Sequence, residues 1–215
     1  MSRPGTESRT TSKLACSKLA WFRDWAFDQL GDIRHERRVA AHVSSLINIT
    51  FPLHDLTRAD IRLVKIAAFI HDVGRSINKR KHPALGARMV RQATNLPLTK
   101  KQRRALAYLT LRHRGLVPPA QDDPALSRVK DPVALQLLLG ILRAADTLDS
   151  RRLPSPRLTF SRRGRRIRIV CRLREESAEA RRIFSRRKKF RLLEEMLDCR
   201  IEVVVVTQRR LSAVA

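Results

Sequence analysis

Residues 67–75 read A-A-F-I-H-D-V-G-R, an apolar stretch that ends on a histidine and an aspartate. From residue 58 to 71 the chain is almost wholly apolar after Arg62, the composition of a helix buried on most sides. That helix stops near Gly74. His71 and Asp72 therefore place polar groups inside the most buried part of the sequence, at a cost on the order of several kcal/mol unless they are paired or bind a metal.

Working outward, the same placement recurs. Asp146 closes L-L-L-G-I-L-R-A-A-D, residues 137–146, another almost wholly apolar run. His35 lies four residues before Val39 and eleven before Leu46, on the inward face of its helix. His113 lies four after Leu109 and seven after Leu106, again inward. His82 precedes the first turn of a helix whose buried stripe is Leu85, Met89 and Ala93. Four inward histidines and two inward aspartates are more than packing alone accounts for. Imidazole with carboxylate suits Mn, Fe, Co, Zn or Mg rather than a thiolate metal. Two ions about 3.5–4 Å apart would stabilise both the attacking and the leaving oxygen of an in-line displacement at phosphorus.

Other titratable groups read differently. His54-Asp55 follows Pro52 in a short loop, with no apolar helix before it, and reads as a helix-capping pair. His42 faces inward as a core histidine. Asp149, three residues after Asp146, is the rival for the distal carboxylate, and Asp146 is preferred for its more apolar flanks. Arg75, Lys81, Arg114 and Arg143 sit beside the candidate ligands and are the phosphate-binding candidates, against the alternative of a solvated basic surface.

Periodicity and stop signals predict a mainly α fold. A first amphipathic helix carries Leu14, Trp21, Phe22, Trp25 and Leu30, large side chains expected to dock on the domain. Further helices follow at 33–49, 58–71, 83–95, 99–113 and 131–149, with Thr99 and Gln102 as a capping box and Asp131-Pro132 as a cap and first-turn proline. Beyond Pro154 the pattern changes. Residues 166–173, R-I-R-I-V-C-R-L, alternate as a half-buried strand. A short strand near 158–160 precedes it across a turn at Gly164, and a charged helix over about 177–197 leads to a last strand, I-E-V-V-V-V. The expected organisation is a disordered N-terminus over 1–12, a helical domain over 13–153, a small β-β-α-β subdomain over 154–208, and a tail over 209–215.

The 215 residues carry a net charge of +26, from 46 Lys and Arg against 20 Asp and Glu, which predicts attraction to polyanions. Arginine-favouring codon usage is the plain alternative. Nucleic acid is a candidate partner through the basic surface, although no basic segment interleaves aromatic residues as a base-stacking platform does. No apolar run approaches the roughly 18–20 residues a membrane span needs. Ser17 and Lys18 interrupt the start, so export is not expected and the predicted location is cytoplasmic. Cys16, Cys171 and Cys199, odd in number and widely spaced, argue against a disulfide framework or a zinc ribbon.

The order His35, His71-Asp72, His82, His113, Asp146, in the contexts H-E-R-R-V-A, A-F-I-H-D-V-G-R, K-H-P-A-L-G-A and L-R-A-A-D-T-L-D, resembles the HD superfamily of metal-dependent phosphohydrolases. More narrowly, residues from about 16 to 207 are similar to the C-terminal region of the exopolyphosphatase and guanosine pentaphosphate phosphatase family. The resemblance implies an HD-type helical bundle with a small α/β unit, and two divalent ions. His35, His71, Asp72 and Asp146 would hold one, and His82 and His113 beside Asp72 the other. Asp72 and Arg75 are the catalytic candidates. Full-length exopolyphosphatases carry their catalysis in an N-terminal actin-like fold for which 215 residues leave no room, so the expected activity comes from the HD site itself. The expected function is a metal-dependent phosphohydrolase acting on a nucleotide, alarmone, polyphosphate or other phosphate ester or anhydride. The alternative is a non-catalytic polyphosphate- or nucleotide-binding module. A homodimer is compatible with either.

Overall fold

The computed structural model describes residues 7–207, with side chains from residue 19 onward. Residues 1–6 of the expected disordered N-terminus, the tail over 209–215, and the side chains of Leu14 and Cys16 lie outside the described residues. The chain is mainly α: α1 (Glu7–Leu30), α2 (Arg34–Thr50), α3 (Arg58–Ile70), α4 (His82–Gln92), α5 (Lys100–Arg112) and α6 (Pro132–Thr147), followed by β1 (Arg157–Arg163), β2 (Arg166–Leu173), α7 (Ala178–Phe184), α8 (Arg191–Leu197) and β3 (Arg200–Thr207). No helix among the described residues is long and apolar enough to cross a membrane.

Helix α6 is the axis of the bundle. Every residue from Leu135 to Thr147 is buried, and α2, α3, α5 and α8 pack around it. Its start is fixed as the sequence dictates: the Asp131 side chain accepts from the Ala134 N–H at 2.9 Å, and Pro132 sits in the first turn. Thr99 and Gln102 likewise cap α5 reciprocally. The cap of α3 corrects the expectation for His54-Asp55. Thr57 and Asp60 form the capping box there, because Thr57 directly precedes the helix and Asp60 stands at the position that can reach back. His54 instead accepts from the Leu56 N–H within its own turn. In α1, Phe22 and Ala26 are buried and Trp25 and Leu30 pack against the core. Trp21 does not dock. It is 59% exposed, lying about 100° around the helix from Phe22.

The three strands form one sheet in the order β1-β2-β3, with β1 and β2 antiparallel and β2 and β3 parallel. Gly164, at φ +58°, makes the expected turn between the first two. The single helix expected over 177–197 is two. Phe184 and Phe190 are both fully buried, and in one continuous helix six residues would set them about 120° apart. The break after Phe184, with Arg186 extended, lets both point inward. This C-terminal unit docks close to α6 at Gly140, where an added Cβ would come within 3.1 Å of the Leu193 backbone. The approach carries the segment between α7 and α8 to the buried polar centre of the bundle.

Candidate metal centre

Four histidines and two aspartates from five places in the chain meet at one end of α6. His35 comes from the first turn of α2, His71 and Asp72 from the end of α3, His82 from the start of α4, His113 from the cap of α5, and Asp146 from the last turn of α6. All six are buried. Asp72 Oδ1 lies 3.0 Å from His82 Nε2, 3.4 Å from His113 Nε2 and 3.9 Å from His71 Nε2. Asp146 Oδ1 lies 3.3 Å from His35 Nε2 and 3.6 Å from His71 Nε2. The ligand atoms of His35, His71 and Asp72 form one group within 4.8 Å of one another, and those of Asp72, His82 and His113 a second. Asp72 belongs to both.

The rings are oriented from behind. His71 Nδ1 donates to the Ala68 carbonyl at 2.9 Å, His82 Nδ1 to the Lys79 carbonyl at 2.9 Å and His113 Nδ1 to the Thr110 carbonyl at 2.6 Å. His35 Nδ1 donates to Asp149 Oδ2 at 2.7 Å. With each Nδ1 committed to an acceptor behind it, each Nε2 is turned to the centre. Those nitrogens meet a carboxylate oxygen or one another: His82 Nε2 and His113 Nε2 are 3.1 Å apart. Asp72 Oδ1 and His71 Nε2 are buried without a hydrogen-bond partner. Such a centre calls for added positive charge, and this nitrogen and oxygen donor set fits a divalent ion.

The electrostatics run the same way. Burial opposes ionisation of Asp72 and Asp146, yet the surrounding imidazoles, His71 foremost for Asp72 and His35 for Asp146, hold both carboxyls well below the usual range. Burial alone would lower His35, but hydrogen bonds to Asp146 and Asp149 raise it to about 9. Burial pushes His113 down to about 4, so a proton is not what balances that ring at neutral pH.

Above the centre opens a cavity of about 560 Å³. Arg75, Arg114, Arg151 and Arg152 line it from the helical part, and Arg182, Arg186 and Lys189 from the C-terminal unit. Arg75 Nε stands 3.5 Å from Asp72 Oδ2. Two of the expected phosphate-binding residues are not brought to it. Arg143 spends its guanidinium on the Arg112 and Gly115 carbonyls at 2.7 and 2.9 Å, which holds the turn after α5. Lys81 is exposed at the start of α4 and does not line the cavity.

Four residues enter that sequence reasoning left out or placed elsewhere. Asp149, weighed as a ligand, meets His35 at Nδ1 and not at the Nε2 that faces Asp146. It is clamped by Arg38 and Ser155, whose hydrogen bonds, with that of His35, outweigh burial and bring it to about 2. Arg151 contacts Asp72 Oδ2 at 3.1 Å and the fully buried Glu36. Lys189 donates to the His113 carbonyl at 3.1 Å and stands 3.5 Å from Asp146. Glu36 next to His35 was a legible signal, since a carboxylate in that inward turn needs a cation. Nothing local marks Lys189 out of its run of basic residues.

Residues 30–181 match the sequence model described as Ppx/GppA phosphatase, domain III. The chain belongs to the Ppx/GppA phosphatase family. No curated protein matches it. The matched span contains all six residues of the buried centre and ends in α7, so Lys189, α8 and β3 lie beyond it.

Proposed function

We propose that this Ppx/GppA domain III chain is an HD-type metal-dependent phosphohydrolase acting on a nucleotide, polyphosphate or other phosphate ester or anhydride. The observation that carries the reading is the buried Asp72 Oδ1, without a hydrogen bond and faced by three imidazole nitrogens. Two divalent ions fit. His35, His71, Asp72 and Asp146 would hold one, and Asp72, His82 and His113 the other. Bound there, such ions supply Lewis acidity toward phosphoryl oxygens and a nucleophile at neutral pH. The chain's own groups bind and orient the ligand. Arg75 and Arg114 offer guanidinium donors to phosphate oxygens at the mouth, Lys189 places an ammonium beside Asp146, and Arg151 keeps the outer oxygen of Asp72 occupied so that Oδ1 faces inward.

The test is phosphate release from a panel of nucleotides, alarmones and polyphosphate with Mn²⁺, Co²⁺ or Mg²⁺, together with metal analysis. Turnover that depends on the metal and disappears in Asp72→Ala is expected, with two ions per chain. Absence of turnover in the wild type, or equal turnover in Asp72→Ala, would remove the reading. The matching model's description as a third domain of a phosphatase favours one rival, a binding module without turnover. It predicts salt-sensitive polyanion binding that survives chelation.

A narrower expectation concerns Asp149. Asp149→Ala frees the His35 ring to rotate and strands Arg38, so metal affinity should fall about 10- to 100-fold, as for other carboxylates that orient a ligating histidine. Titration of stripped protein with Co²⁺, followed by its visible spectrum, measures this. An unchanged affinity would show that the His35 orientation is set elsewhere.

A further inference from the structure

The outward face of the three-stranded sheet is built of arginine. Strand side chains alternate, so Arg157 and Arg163 of β1, Arg166, Arg168 and Arg172 of β2, and Arg200 of β3 share the exposed face. The register sets Arg157 opposite Arg172, and brings Arg163, Arg166 and Arg200 into one row across all three strands. Like charges directly opposite each other destabilise a sheet. Glu202 is the one acid on this face, 4.0 Å from Arg168, and among the described residues no ion pair reaches Arg157, Arg163, Arg166 or Arg200. At that row's end a groove of about 490 Å³ opens, beside Arg187, whose guanidinium is held by Glu194 and the Ile201 carbonyl.

The charge falls into two clusters. Six residues separate Arg163 from Arg157, which places the clusters about 20 Å apart along the strands. Between them runs a band with the exposed hydroxyls of Ser161 and of Thr159, which accepts from Arg172 at 2.7 Å, the half-buried Val170 and Val204, and the mutually neutralising Arg168 and Glu202. A single-file polyanion would match a continuous track. Two cationic clusters flanking a near-neutral band match two phosphate backbones on either side of a shallow groove. The face carries no aromatic side chain on which single-stranded bases could stack. A-form RNA presents a wide, shallow minor groove lined with 2′-hydroxyls, the partners that Thr159 and Ser161 could meet.

We propose that this sheet face docks double-stranded RNA across its minor groove, the two arginine clusters holding opposite phosphate backbones. The inference is independent of the phosphohydrolase reading. It is tested with the full chain and a fluorescent RNA duplex of about 20 base pairs, longer than the roughly 16 that a double-stranded RNA-binding module spans. Anisotropy is followed as a function of salt. The triple variant Arg163→Gln, Arg166→Gln, Arg200→Gln should bind at least tenfold more weakly. Its plot of log affinity against log salt should be shallower by about two to three, at about 0.9 per lost phosphate contact. Its melting temperature should match or exceed that of the wild type, since repulsion is removed. Thr159→Val with Ser161→Ala should narrow the preference for RNA over DNA and leave the salt slope unchanged. Wild-type affinity and slope in the triple variant would overturn the proposal. So would wild-type protein that fails to bind the duplex, or that binds single-stranded RNA or duplex DNA of equal charge as tightly.

Discussion

Adding Mn²⁺ to chelator-stripped protein is expected to raise its melting temperature by about 10 °C, and Asp72→Ala is expected to abolish the rise. An ion that binds only the folded chain stabilises it by about 4 kcal/mol at a thousandfold excess over its dissociation constant. For a chain of this size each kcal/mol moves the midpoint by about 2–4 °C. The folded chain alone can bind this way because the ligands come from α2 through α6, scattered over residues 35 to 146, and only folding brings them together. Asp72 is the residue to remove because it belongs to both ligand groups, so one substitution reaches both ions. His82→Ala should keep part of the shift, since the group formed by His35, His71 and Asp72 is left whole. Differential scanning with and without the ion separates these cases. An equal rise in wild type and Asp72→Ala would place the metal elsewhere, and no rise in the wild type would deny a metal at the centre.

Much of this was legible in the chain because it rests on periodicity. The helical bundle and the inward faces of His35 and His113 follow from 3.6-residue spacing, the caps at Thr99 and Asp131 from side-chain capping chemistry, and the structure brings all six expected ligands to one end of α6. What lay hidden depends on contacts between distant segments. Lys189 reaches Asp146 only because Gly140 lets α8 come close to α6, a fact with no local signature. Arg143 was a phosphate candidate only for standing beside Asp146 in sequence, and two carbonyls across the bundle claim it. The split of α7 and α8 turns on burying both Phe184 and Phe190, which tertiary packing decides against the helical propensity of the run between them. The arginine face of the sheet appears in sequence only as charge. The register, which pairs Arg163 with Arg166 and Arg200, is what turns that charge into a surface.

Gly74 shows most clearly how the fold holds the site. Its place after H-D-V reads as a helix stop, but its φ is not left-handed, and a stop alone would accept other residues. The structural demand is closeness. A Cβ at Gly74 would come within 2.2 Å of the His82 carbonyl oxygen and 2.4 Å of the Gly86 amide nitrogen. Both are backbone atoms in the first turns of α4 and cannot swing aside. Gly74→Ala must therefore push α4 away from the turn over residues 73–76, at a cost of about 3 kcal/mol, the upper part of the overpacking range. That lowers the melting midpoint by about 6–12 °C. The displacement carries His82 away from Asp72 and His113, now 3.0 and 3.1 Å distant, while His35, His71 and Asp146 sit on other elements. Gly74→Ala should thus bind one ion where the wild type binds two, in metal analysis of the refolded protein at a temperature where it is still folded. Gly86→Ala makes a useful contrast, because its Cβ comes no nearer than 2.9 Å to the Thr110 methyl and 3.2 Å to the Gly74 amide nitrogen, looser approaches than those at Gly74, and it should cost less. Wild-type stability and two ions in Gly74→Ala would mean that α4 can shift without moving His82, and that the pairing of these two glycines does not position the second ligand group.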